Sequence, residues 1–181
     1  MSVGLLPCRG GPQGSSIRSP HATIVLMPKG KPKIRKQVAA LPVRLDAAGQ
    51  PRVLLITSRE TKRFIVPKGW PMKGRKDYRA AAIEAQQEAG VIGRVHKKSV
   101  GSYMYWKRRA ESFDLCRVKV FVLEVQHQLP AWREQDERET AWLLVEDAAT
   151  LVDDPGLVTI IRELATSWPR RKASRVQAPS V

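Results

Sequence analysis

The sequence lacks the residues that staple or metallate small extracellular domains. Its 181 residues include only two cysteines, Cys8 and Cys116, and three scattered histidines, His21, His96 and His127. A disulfide scaffold and a Cys/His zinc module are both excluded, and a reducing, cytoplasmic setting is expected. Long apolar runs are missing as well. Ala22 to Pro28 is the longest near the start, well below the ~18–20 residues of a membrane span, so no membrane partner is expected. Internal repeats are absent, and no acidic residue precedes Asp46 or follows Glu163.

That one-sided distribution of acid organises the rest. The net charge is +15, from 32 Lys and Arg against 17 Asp and Glu. Eight basic residues precede Asp46, and Arg170, Arg171, Lys172 and Arg175 close the chain, so the two ends carry twelve of the fifteen excess charges. The first twenty residues are turn-rich and without period (Gly10-Gly11-Pro12, Gly14-Ser15-Ser16, Ser19-Pro20), and Met27-Pro28-Lys29 opens a second, tidier start. Residues 1–33 are therefore expected to be a disordered basic extension, 34–167 the folded domain, and 168–181 a basic tail. At 43% hydrophobic and 27% charged residues, the composition suits one globular domain with a real core.

Within the middle, Lys36–Leu45 and Arg52–Ser58 flank the turn signal Asp46-Ala47-Ala48-Gly49-Gln50-Pro51 and predict a hairpin. Arg63–Val66 predicts a short strand, followed by a loop through Lys68-Gly69. Asp77 is positioned as an N-cap for a helix to Ala89, with Gly90 as its left-handed end. Val100–Arg108, Leu115–Val125 and Thr140–Val145 predict strands, then a short helix over 146–151 and a last one over 156–166. Mixed strands and helices predict an α/β (α+β) domain with helices on both faces of a sheet.

The helix over 77–89 carries the chemistry. Glu84, Gln87 and Glu88 project from one face, with small alanines opposite. Two carboxylates on a rigid helix suit a hard cation such as Mg²⁺, though by helix spacing alone they read first as solvated surface acids. Basic residues crowd the same region. Residues 59–79 hold eight Lys and Arg against Glu60 and Asp77, which suits a polyanionic substrate. Trp70, Trp106, Trp132 and Trp142 could stack on a base or simply pack the fold, and Lys107-Arg108-Arg109 reads as a basic hairpin tip beside the cleft or as a nucleic-acid patch.

Residues 69–91, GWPMKGRKDYRAAAIEAQQEAGV, resemble the 23-residue box of the Nudix hydrolases. Gly69, Glu84, Ala85, Glu88, Gly90 and Val91 match, while Arg75, Ile83 and Gln87 stand where Glu, Arg and Glu are usual. The flanks Val53–Gly69 and Glu139–Ala148 resemble the diphosphoinositol polyphosphate phosphohydrolase subgroup, and the likeness covers about residues 37–165. The resemblance implies an α/β/α sandwich with a mixed sheet and a Mg²⁺- or Mn²⁺-dependent pyrophosphohydrolase. Its substrate would be a polyphosphorylated small molecule: a diadenosine polyphosphate, a diphosphoinositol polyphosphate or a nucleoside diphosphate derivative. It implies Gly69, Glu84, Gln87 and Glu88 as metal ligands, with Glu84 and Glu88 catalytic, and Arg44, Ser58, Arg59, Lys68 and Arg138 as contacts to substrate phosphates. A monomer or dimer is expected. The three departures leave open a catalytically weakened Nudix module that binds RNA or nucleotides.

Overall fold

A computed structural model describes residues 34–168. The expectations for the extension 1–33, and for the tail from residue 169 on, lie outside the described residues. Trp168 itself belongs with the domain: its N–H bonds the Leu164 carbonyl at 2.9 Å and its ring stacks on His96.

The strands and helices follow in the order β1 (Arg35–Leu45), β2 (Pro51–Thr57), β3 (Phe64–Ile65), β4 (Lys68–Gly69), α1 (Asp77–Ala89), β5 (Val91–Val95), β6 (Gly101–Arg108), β7 (Phe113–Gln128), β8 (Thr140–Leu144), α2 (Val145–Leu151) and α3 (Pro155–Ser167). The sheet is mixed. β1 pairs antiparallel with β2 through the expected hairpin and parallel with the long β7, while β6 and β5 both pair antiparallel with β7.

Strand β1 shows why the sheet needs cover on both faces. Residues 37–43 are all buried. Val38 and Ala40 join Leu54, Ile56, Phe121 and the alanines of α1, whereas Ala39, Leu41 and Val43 join Leu157, Ile161 and Leu164 of α3. Successive side chains point to opposite faces, so a strand buried throughout needs a layer on each side. The two layers are α1 on one face and α2 with α3 on the other. Helix α1 lies close to the sheet because Ala80, Ala81, Ala85 and Ala89 form its buried face.

Two local expectations are corrected and one strand is added. The N-cap of α1 is Lys76, without a side-chain cap, and Asp77 sits in the first turn, where its negative charge suits the helix dipole and pairs with Lys119 at 3.3 Å. Lys68-Gly69 is a short strand paired with Val38 and Ala39, not a loop. β5 was not foreseen, because Val91–Val95 is short and interrupted by Gly93. Gly93 is required there: an added Cβ would run into the Glu124 backbone at the bulge between β5 and β7.

Candidate functional site

A cleft of about 320 Å³ opens beside the C-terminal half of α1. Its walls come from α1 (Glu84, Glu88), β4 (Lys68, Gly69), the turn after β2 (Ser58, Arg59), the β6 end of a hairpin (Tyr105, Lys107) and the segment before β8 (Glu134, Arg138). The sequence separation of these pieces is large, and the sheet brings them together. β1 holds β4 on one side and β7 on the other, β7 carries the β6 hairpin, and β2 leads into the turn at Ser58.

Glu88 is the most enclosed of these groups, 5% exposed. One carboxylate oxygen accepts the Lys68 backbone N–H at 2.9 Å, and the other accepts Arg138 Nη2 at 2.5 Å. Burial pushes the Glu88 carboxyl up to about 7, against the pull of Arg138, the Lys68 N–H and the Lys68 ammonium. Glu84 is also raised, first by burial and then by the negative charge of Glu134. Gly69 lies directly under Glu84, and a Cβ there would collide with the carboxylate. The box glycine is therefore a matter of space: only a backbone without a side chain lets Glu84 reach over β4.

Arg138 is nearly as buried as Glu88, and its three nitrogens are all engaged. Nε donates to Glu134 at 2.7 Å, Nη1 to the Thr57 carbonyl at 3.0 Å, and Nη2 to Glu88. Glu134 is thereby placed against the cleft, although it holds no position in the box. Its signal was available only as an acid four residues before an arginine, the i,i+4 pairing seen here.

Lys68 lies behind the carboxylates. Its Nζ stands 5.3 Å from the Tyr105 ring centre, and desolvation lowers its ammonium to about 8 despite the attraction of Glu88 and Asp154. Asp154, raised by burial, is the residue before α3 and faces Lys68 from the far layer; the sequence offered no hint of this approach. Tyr105 donates to the buried Gln37 at 2.7 Å, closing the floor.

The other predicted contacts divide. Ser58 shares a 2.6 Å hydrogen bond with Thr61 and accepts the Arg63 N–H, so its hydroxyl shapes the turn at the cleft edge. Arg59 is 60% exposed at the mouth, 3.4 Å from Glu137. Lys107 and Arg108 line the cleft at the end of β6, next to the turn of the β6–β7 hairpin, which agrees with the tip reading. Arg44 is not brought to the cleft. It stacks 4.0 Å over Trp142, and seven residues of extended strand, roughly 23 Å, separate it from Gln37 on the cleft floor. Gln87 does not line the cleft either, and its carbonyl accepts the Glu134 N–H at 3.1 Å. Trp142 packs under Arg44 and Trp132 over Gly90, while Trp106 is 57% exposed.

The donor set suits a hard divalent cation in chemistry: carboxylate oxygens from Glu84 and Glu88 on one helix, with Glu134 nearby. In the described residues no cluster of three or more such side chains is arranged to hold an ion as it stands, and Arg138 occupies a Glu88 oxygen.

No family model matches the chain. Among curated proteins, "Nudix hydrolase 13, mitochondrial" of Arabidopsis thaliana is 33% identical over 116 residues, 59% of this chain and 56% of that protein, so the chain spans little more than half of its length. "Nudix hydrolase 16, mitochondrial" of the same plant is 30% identical over 125 residues, 67% of this chain and 69% of that one. The crystal structure of a C. elegans Ap4A hydrolase binary complex superposes with a TM-score of 0.56 at 18% identity, covering 73% of this chain and 96% of that one, a likeness of fold. With the box residues gathered on α1 and β4, and with a relative matched over two thirds of both lengths, the chain belongs to the Nudix hydrolase family.

Proposed function

We infer that the chain is a divalent-cation-dependent pyrophosphohydrolase acting on a polyphosphorylated small molecule. The observation that carries this reading is the meeting of Glu84 and Glu88 from one helix with Lys68, Arg59, Lys107 and Arg138 around a single cleft. Carboxylates at the centre and cations at the rim suit a substrate that arrives as phosphates and reacts beside a cation. Water adds to one phosphorus, the bridging P–O bond breaks, and two phosphorylated products leave with release of a proton.

Glu84 and Glu88 would hold Mg²⁺ or Mn²⁺. The bound ion would neutralise phosphate charge and lower the pKa of water. Glu88, held at both oxygens, fixes the position of the site. Arg59 and Lys107 at the mouth would orient the phosphate chain, with Arg offering a forked pair of donors. Gln87 is neutral and does not line the cleft, so the reading needs only the two box carboxylates, with Glu134 as the third acid at hand. Diadenosine polyphosphates, diphosphoinositol polyphosphates and nucleoside diphosphate derivatives share the required linkage. A reducing, cytoplasmic setting belongs to the same reading, on the low cysteine content alone.

The test is Glu88→Gln against wild type over a panel of such compounds with Mg²⁺ or Mn²⁺. Product release should fall at least 100-fold in the variant while ligand binding survives. Wild-type protein that binds members of the panel but releases nothing would instead establish the weakened binding module.

A further inference from the structure

Helix α1 covers only part of the sheet face it packs on. Its 13 residues span about 20 Å, whereas the 16 residues of β7 run for roughly 50 Å. Coverage ends near Phe121, where Tyr78 meets its ring edge-on, and Asp77 at the helix start reaches Lys119. Beyond that point the same face of β1, β7 and β6 lies open.

The register says what occupies it. Arg117 is paired on one side with Lys36 and on the other with Met104, and Lys119 with Val38 and Ser102. Trp106 and Phe113 lie farther along the same face, on a diagonal of the β6–β7 ladder, about 7–8 Å apart. Trp106 is 57% and Phe113 63% exposed, and Lys36, Arg117 and Arg108 are exposed beside them. Lys36, Arg117 and Lys119 also line a hollow of about 440 Å³ running up to the start of α1. Among the described residues Lys36 and Arg117 have no acidic partner, and the one acid in the hollow, Asp77, is paired with Lys119. Large aromatics held open to water by a folded sheet, alternating with cations, do not serve the core.

We propose that this uncovered face of β1, β7 and β6 is a binding platform for single-stranded RNA, with bases stacking on Trp106 and Phe113 and phosphates held by Lys36 and Arg117. Base stacking on exposed rings and a basic track for the backbone are the two components of sequence-tolerant single-strand binding. The paired strands present both at a spacing set by their register, without ordering a loop. The charge decides against the chain's own ends as occupants, since both are basic. The platform is separate from the carboxylates of the cleft and meets it at Trp106 and Arg108.

A fluorescently labelled short oligouridylate, titrated by anisotropy into the full chain, tests this. Binding in the ~1–100 μM range is expected, weakening steeply with salt. Phe113→Ala and Arg117→Glu, both at exposed positions, should each weaken it about tenfold or more while melting like wild type. Arg117→Glu should also flatten the salt dependence by about one phosphate contact. The same oligonucleotide in a duplex should bind less well, because its bases are already stacked. Three outcomes would each overturn the platform: no binding to the labelled strand, binding undiminished in both variants but abolished by deleting 1–33 or 169–181, or binding confined to anionic phosphatidylserine vesicles. None of these readouts requires hydrolysis, so they are independent of the pyrophosphohydrolase reading.

Discussion

Arg138 and Glu88 form a buried ion pair, 2.5 Å between Nη2 and Oε1, with only 6% and 7% of their side chains exposed. The same guanidinium bonds Glu134 and the Thr57 carbonyl, so one arginine ties the helix that carries the box to the end of β2 and to the segment before β8. It supplies positive charge among acidic groups where a divalent cation would otherwise be the counter-charge.

Removing that charge should expose the need for a cation. In Arg138→Gln, Glu88 and Glu134 lose their buried partner, and the metal-free fold should weaken by about 3–5 kcal/mol. Added Mn²⁺ should then raise the melting temperature more in the variant than in wild type. Melting curves with and without Mn²⁺ check this, and an equal gain in both proteins would show that Arg138 and the ion do not share Glu88.

The raised Glu88 carboxyl makes a pH prediction with a definite sign. Its folded value of about 7 lies above the usual carboxylate range, so the folded state holds a proton that the unfolded state releases. That contribution is complete at low pH and is lost as pH rises from about 4.5 towards 7. Metal-free wild type should lose stability over this interval, and Glu88→Gln should lack that loss. Mn²⁺ affinity should rise with pH up to about 7 and then level off, which isothermal titration at several pH values can follow.

Gly69→Ala places a methyl group against the Glu84 carboxylate. The flexible side chain can swing away, so the protein should fold. Hydrolysis and Mn²⁺ affinity should each drop at least tenfold, because Glu84 no longer reaches over β4. Retained Mn²⁺ affinity in a folded Gly69→Ala protein would remove Glu84 from the ligand set.

Gly90 answers to a different constraint. Its φ of 67° closes α1, its N–H caps the helix, and a Cβ would press on the Trp132 ring. Gly90→Ala should cost at least ~1 kcal/mol of stability in denaturant unfolding. The loss should be larger than for a substitution at Gly74, which also has a positive φ but open space around it.

What the sequence determined by itself was local. The box spacing put Glu84 and Glu88 on one helix face, Gly90 at its left-handed end, and the β1–β2 hairpin around its turn, because helical period, glycine's conformational freedom and turn chemistry act over a few residues. It could not set Asp77 apart from Lys76 as the cap, since boundaries depend on how the preceding segment enters the helix. The rest was decided by long-range pairing. Whether Arg44 or Lys107 faces the cleft depends on which end of a strand lies beside α1, and that is a property of the sheet's register. Asp154 approaches Lys68 from a distant layer that its own neighbours in the chain do not announce, and Glu134 is held by Arg138, whose place is set by its burial against Glu88. The open face at Trp106 and Phe113 arises in the same way: α1 is shorter than β7, and only the assembled sheet shows where its cover ends.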